Sequence, residues 1–152
     1  MNIGIDFGGV LSIHDNAGAE HINTTIDMPY ALEALQQLKN DGHTLFLISF
    51  CGRKRAYETH KTILMHPGLF EREIYVKDRA DKGKICASLG CHFMIDDRQD
   101  VIDAVITDSK MTHTILFTEE LGWLNVLDEI RNSRKIKIQP NGRNIDRYVY
   151  HL

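Results

Sequence analysis

The sequence predicts a three-layer α/β fold, one parallel sheet with helices on both faces, and three observations predict it. Short apolar runs alternate with segments of helical periodicity along the 152 residues, which is the pattern of a parallel sheet with right-handed crossovers. Some runs, such as Thr44-Leu45-Phe46-Leu47-Ile48, are wholly apolar, as strands buried on both faces are. Three runs end in chemically capable groups, namely Asp6, Ser49, and Asp96 with Asp97. In such sheets ligands gather beyond the carboxyl ends of the strands.

In chain order, Ile3-Gly4-Ile5 is a strand that stops at Asp6 and turns at Gly8-Gly9. A buried carboxylate is costly unless paired or bound to metal, so Asp6 either serves a site or caps a turn. Residues 13–29 are polar and small and read as a loop or flap. Asp27 as cap and Pro29 open a helix with Ala31, Leu32, Leu35 and Leu38 on one face, closed by Asn40-Asp41-Gly42. After the Thr44–Ile48 strand, a second helix runs from about Arg53 to Met65 and ends at Pro67-Gly68. Ile74-Tyr75-Val76 is a third strand; Lys82 to Leu89 is a short helix closed by Gly90. Phe93-Met94-Ile95 is a fourth strand, and Val101, Ile102, Val105 and Ile106 mark an amphipathic helix. Thr114-Ile115-Leu116-Phe117 is a fifth strand, followed by a helix carrying Leu121, Leu124, Leu127 and Ile130. The tail, with Lys135–Ile138 and Tyr148–Tyr150 around Pro140-Asn141-Gly142, is expected to pair as a hairpin or as edge strands. The whole is expected to be a single domain, residues 1–152, with a core to about 134 and an extension over 135–152.

Bulk properties narrow the function. Net charge is −3, so no global field favours nucleic acid or an anionic membrane. No apolar run reaches the roughly 20 residues of a membrane span, and no signal core follows the N-terminus; a cytoplasmic protein with no membrane partner is expected. Three cysteines, none in a Cys-x-x-Cys pair, argue for reduced thiols over a disulfide framework or a zinc site.

The strand-end groups, with Lys82, form a kit. Phosphoryl transfer through a covalent aspartyl intermediate needs a carboxylate nucleophile and a cation to screen it from an anionic substrate. It also needs hydroxyl and ammonium donors for the phosphate oxygens. Mg2+ takes oxygen ligands from a few carboxylates, carbonyls and water. Asp6, Ser49, Lys82, Asp96 and Asp97 supply that set. Each has a bland alternative: Ser49 ending a strand, Lys82 solvated with Lys84 in its place, Asp96 and Asp97 capping a helix. Gly52-Arg53-Lys54-Arg55 reads as a solvated helix start, with cations near enough to steer an anion if Ser49 lies in a site.

In four motifs the chain resembles the haloacid dehalogenase superfamily. They are Ile3-Gly4-Ile5-Asp6-Phe7-Gly8-Gly9-Val10, Leu45-Phe46-Leu47-Ile48-Ser49, Lys82-Gly83-Lys84-Ile85 leading to Leu89-Gly90, and Phe93-Met94-Ile95-Asp96-Asp97-Arg98. The resemblance covers about residues 1–118. It implies a Rossmann-like core and a Mg2+-dependent phosphohydrolase, with Asp6 as nucleophile and metal ligand and with Ser49 and Lys82 as phosphate donors. It also implies Asp97 as direct metal ligand, Asp96 acting behind it or through water, and the Gly8 carbonyl as a further ligand. The chain departs from that family at Gly8, where its phosphatases carry a second Asp as general acid, a help worth about 10²- to 10⁴-fold. Three accounts follow: the acid comes from Asp15 or His14, the substrate has a good leaving group, or the domain binds a phosphorylated partner without turning it over. The inserts that form cap domains in the family are missing. This resembles capless members with open sites, whose substrates include macromolecular phosphates such as protein side chains and nucleic-acid ends. A dinucleotide site would want Gly-x-Gly-x-x-Gly after the first strand; a receiver domain would place its paired acids there too. Neither fits. A halide-displacing enzyme fits less well, since that chemistry does not need the acids of the fourth strand.

Overall fold

The computed structural model describes residues 1–14, 23–134 and 136–152. It is an α/β fold of five parallel strands flanked by helices in a three-layer, Rossmann-like arrangement. The strands are β1 (Asn2–Ile5), β2 (Thr44–Phe50), β3 (Arg72–Val76), β4 (Phe93–Asp96) and β5 (His113–Leu116). The helices are α1 (Ala31–Asn40), α2 (Arg53–Leu64), α3 (Asp81–Leu89), α4 (Gln99–Asp108) and α5 (Gly122–Arg131). The sheet order is β3-β2-β1-β4-β5. The chain therefore winds outward from β1 through β2 to β3, then returns to the other side of β1 for β4. A crevice opens where the winding reverses, beyond the carboxyl ends of β1 and β4.

Strand alternation divides the core in two. Ile3, Ile5, Leu45 and Leu47 point to one face, under α1, α2 and α5 and the buried Trp123. Phe46, Ile48, Ile74 and Met94 point to the other, under α3 and α4. With both faces covered, β1, β2 and β4 have no polar side to show until their last residues. Gly83 lets α3 lie against α4: a Cβ there would collide with the Ala104 carbonyl. That close approach holds the start of α3, and so Lys82, against the sheet.

Three expectations need correction. Asp27 does not cap α1; Tyr30 stands at that position in a left-handed conformation (φ 61°) with no side-chain capping bond. Asp27 instead accepts from the Ile13 amide (2.8 Å) and from Asn23 Nδ2 (2.9 Å), closing the loop upstream. The buried faces of the late helices are rotated from those expected. Trp123, Val126, Leu127 and Ile130 are the buried residues of α5 and Leu124 is exposed, while Ile106 of α4 is exposed as well. Nor is the tail a hairpin. Residues 136–145 form no strand, because their polar groups are spent on the end of α3. The Asn141 amide donates to Ala87 O, and Ser88 Oγ donates to Arg143 O at 2.7 Å. A short turn, Asp146–Tyr148, then brings Val149 antiparallel to Val76 at the free edge of β3.

Among the described residues no helix is long and apolar enough to cross a membrane. The three cysteines are free and buried.

Candidate functional site

The turn after β1 is fixed by its own backbone. Phe7 O accepts from the amides of Val10, Leu11 and Ser12, and Trp123 Nε1 of α5 donates to Val10 O at 2.8 Å. Gly9 sits at φ 77°, and a Cβ there would collide with Asp97 and His14; only glycine lets the loop pass this close. The backbone amide of Asp6 donates to Ile95 O, so the first carboxylate is tied in register to the strand that delivers the other two.

Asp6, Asp96 and Lys82 form a buried triad. Lys82 Nζ donates to Asp6 Oδ1 at 2.9 Å and to Asp96 Oδ2 at 2.7 Å. Relative exposures are 7% for Asp6, 0% for Asp96 and 2% for Lys82. The other Asp96 oxygen, Oδ1, accepts the Arg98 amide at 3.0 Å. Burial pushes Asp6 upward from the ordinary carboxylate range, partly opposed by the charge of Lys82. Asp96 is pushed up to about 6, by burial first and by the Asp6 carboxylate next. Burial alone would lower Lys82, but the two carboxylates outweigh it and hold the ammonium above its ordinary value. One ammonium thus faces two carboxylates, a third stands beside them at Asp97, and the cluster carries surplus negative charge.

Carboxylate oxygens of Asp6, Asp96 and Asp97 lie within 4.8 Å of one another. The donor set is all oxygen and anionic, which suits a hard divalent cation and not a soft one. His14 Nε2 lies 2.7 Å from Asp97 Oδ2. Asp15, the other candidate acid, lies outside the described residues.

Around this cluster is a cleft of about 130 Å³ whose walls include Asp6, Gly8, Ser49, Lys82 and Asp97. Ser49, buried at the end of β2, stands across from Asp6. Burial pushes the neighbouring Cys51 thiol up, so Cys51 stays protonated and is no rival nucleophile. A Cβ on Gly8 would meet nothing within 4 Å, so space does not exclude a longer side chain there. Lys84 is exposed and pairs with Asp81 at 3.6 Å. Its place in the cleft is taken by Lys82, since residues two apart on a helix face different ways.

Sequence reasoning missed three contributors to the cleft: Phe50, Arg79 and Thr59. Arg79 sits in the turn after β3 and reaches the site because β3 lies beside β2. An arginine in a charged turn carries no local sign of this. Of the basic run, Arg53 and Lys54 are exposed at the start of α2, while Arg55 lines the cleft.

No protein-family model matches the chain, and no curated protein matches it either.

Proposed function

We propose that the chain is a Mg2+-dependent phosphohydrolase of the capless haloacid dehalogenase type, cleaving phosphate monoesters through an aspartyl-phosphate on Asp6. The observation that carries this reading is the meeting of Asp6, Asp96 and Asp97 within 4.8 Å, with Asp6 and Asp97 lining a cleft shared with Ser49 and Lys82. Asp6, Asp97 and the Gly8 carbonyl would hold Mg2+. Asp96, with both oxygens engaged by Lys82 and the Arg98 amide, would act from behind them. When bound, the cation screens the carboxylates from the incoming phosphate and draws charge off its oxygens.

Asp6 attacks phosphorus; the new carboxylate–phosphorus bond forms as the ester P–O bond breaks, and the leaving oxygen takes a proton. Water then attacks the aspartyl-phosphate and gives a proton back to the group that protonated the leaving oxygen, restoring the Asp6 carboxylate and releasing inorganic phosphate. Ser49 and Lys82 donate to the phosphate oxygens, where negative charge gathers. In place of an acid at Gly8, His14 supplies the proton: its side chain lines the cleft, and Asp97 orients the ring. The cleft volume is well below the roughly 300 Å³ of a site that encloses a whole small molecule. It suits the end group of a larger substrate, a phosphorylated macromolecule. Free, buried cysteines are in keeping with a reducing, cytoplasmic setting.

The test is release of phosphate from p-nitrophenyl phosphate, dependent on Mg2+ and reduced to background in Asp6→Asn; unchanged turnover in that variant would sink the mechanism. Gly8 favours a second reading, a binding domain that keeps the cation and the phosphate site. It predicts Mg2+ binding by calorimetry and no turnover over a broad panel of phosphate esters.

A further inference from the structure

The two edges of the sheet are finished differently. At β3 the tail crosses the edge: Lys77 N donates to Tyr148 O and Tyr150 N to Tyr75 O, with Val149 antiparallel to Val76. At β5 nothing crosses among the described residues. His113 N donates to His92 O and Phe117 N to Asp96 O, so the odd-numbered residues of this strand turn their main-chain groups toward β4. Thr114 and Leu116 therefore turn theirs outward, and among the described residues no hydrogen bond reaches them. Such an open row is usually blunted by a charge, a proline or a covering segment. Thr114-Ile115-Leu116 has none of these, and Leu116 is 40% exposed. Its side chain lies on the face of the sheet that carries α4, since its neighbour Ile115 packs into the opposite core. Ala104 and Asp108 of α4 turn toward Gly83 of α3. Ile106, two residues from each, stands on the other side of the helix and turns toward the same open edge, 54% exposed.

We propose that β5 is a dimer interface, where it pairs antiparallel with β5 of a second copy of this chain and joins the two sheets into one. The twofold axis stands normal to the sheet beside Ile115. Thr114 of each copy then faces Leu116 of the other, and each such pair exchanges two main-chain hydrogen bonds. A second copy fits better than a foreign strand because the edge is complementary to itself in charge. Lys110 stands before β5, and Glu119 and Glu120 stand after it. All three are exposed, and among the described residues none is in an ion pair. Antiparallel pairing sets the lysine end of each copy beside the glutamate end of the other, and symmetry makes the contact twice. Parallel pairing would set like charges together. The same axis keeps both α4 helices on one face, so Leu116 and Ile106 of the two copies close an apolar seam. The cleft lies on the far side of β4 from this edge, so the inference does not depend on what the cleft does.

The experiment is sedimentation equilibrium of the full chain over a wide range of concentration, with hydrogen exchange read at single amides. The natural protein is expected to reach twice the mass of one chain, and the amides of Thr114 and Leu116 to exchange more slowly as the dimer fills. Leu116→Lys puts a charge in the middle of the open row and is expected to give a monomer with an unchanged urea midpoint. Lys110→Glu is expected to raise the dissociation constant about tenfold, because an exposed pair of modest worth occurs twice and becomes a repulsion. Adding Glu119→Lys and Glu120→Lys to that variant exchanges the signs at both ends and is expected to restore most of the affinity. The charge exchange decides alone if Leu116→Lys lowers the urea midpoint. A chain that stays monomeric up to its solubility limit overturns the inference, even if a strand of another protein takes the edge. A dimer that survives Leu116→Lys overturns it as well, and so does a triple variant that associates no better than Lys110→Glu.

Discussion

On the β1–β4 side of the cleft, three carboxylates and one lysine are folded into the protein, two of the carboxylates sharing the lysine. On the β2–β3 side the cations stand at the surface, resting on aromatic rings and free of buried acids. The first bank is expensive to build. Its charges lose water, and only their mutual geometry compensates. The second bank costs little, because exposed cations keep their hydration. The difference separates two duties that the proposed phosphate site would need. A rigid, charge-dense bank can hold a cation and a nucleophile to within tenths of an ångström, and a solvated bank can meet substrates of varied shape. Substitutions should therefore affect stability and chemistry on the first bank, and affinity alone on the second.

The largest effect is expected at Lys82. Lys82→Met keeps the length of the side chain but leaves Asp6 and Asp96 buried against each other without a cation. Removing one member of a buried ion cluster typically costs about 3–5 kcal/mol. Urea denaturation in EDTA should show a loss of that order, and Mg2+ should restore part of it. A loss below about 1 kcal/mol would mean that water already shares the triad and that the first bank is not buried in the sense argued.

Asp96 should set a pH dependence of nearly the same size. Its folded-state value of about 6 lies above the 3.8 of a free carboxyl, so the folded protein binds the proton more tightly than the unfolded chain. The stability linked to this group is therefore full below about pH 4, falls as pH rises toward 6, and stays low above that. Two units of difference correspond to about 3 kcal/mol. The burial that raises Asp6 acts in the same direction. Urea midpoints measured without divalent ions from pH 4 to 7 should fall in the natural protein and be flatter in Asp96→Asn. Parallel profiles for the two would remove Asp96 as the source.

Gly8→Asp examines the chemistry of the same bank. A Cβ at position 8 meets nothing within 4 Å, and a well-placed general acid brings about 10²- to 10⁴-fold. An introduced acid lacks the supporting contacts of an evolved one, so a gain of about tenfold in turnover of p-nitrophenyl phosphate is the expectation. If His14 already donates the proton, His14→Ala should slow the natural protein and spare the Gly8→Asp variant. Equal slowing in both would take the proton-donor role from His14.

The two banks also differ in how plainly the sequence announces them. Strand ends after wholly apolar runs are a local signal, and Asp6, Ser49, Asp96 and Asp97 each follow such a run within one or two residues. Lys82 needed one further fact, the phase of α3, which turns Lys82 inward and Lys84 out. The cationic bank has no local signal. Arg79 meets Phe50 because β3 pairs with β2, and Tyr150 meets Arg53 and Lys77 because the tail crosses the free edge of β3. The tail was unreadable for a related reason: its alternating residues look like a strand, yet its hydrogen bonds go to the last turn of α3 instead. His14 and Asp97 are joined over 83 residues, a meeting only the returning β4 makes. Buried chemistry is written into hydrophobic patterning because each such group interrupts an apolar run, whereas surface recognition interrupts nothing.

The smallest effect, and the sharpest contrast between the banks, is expected at Arg79. The side chain lies over Phe50 at the mouth of the cleft, takes no part in any ion pair among the described residues, and sits in a turn. Arg79→Ala should leave the urea midpoint almost unmoved, as surface substitutions usually do within about 0.5 kcal/mol. It should raise KM for a phosphate ester severalfold with kcat held, the signature of lost binding felt equally by substrate and transition state. A fall in kcat at constant KM would instead place Arg79 on the transferring phosphoryl group and move it, functionally, to the bank of Ser49 and Lys82.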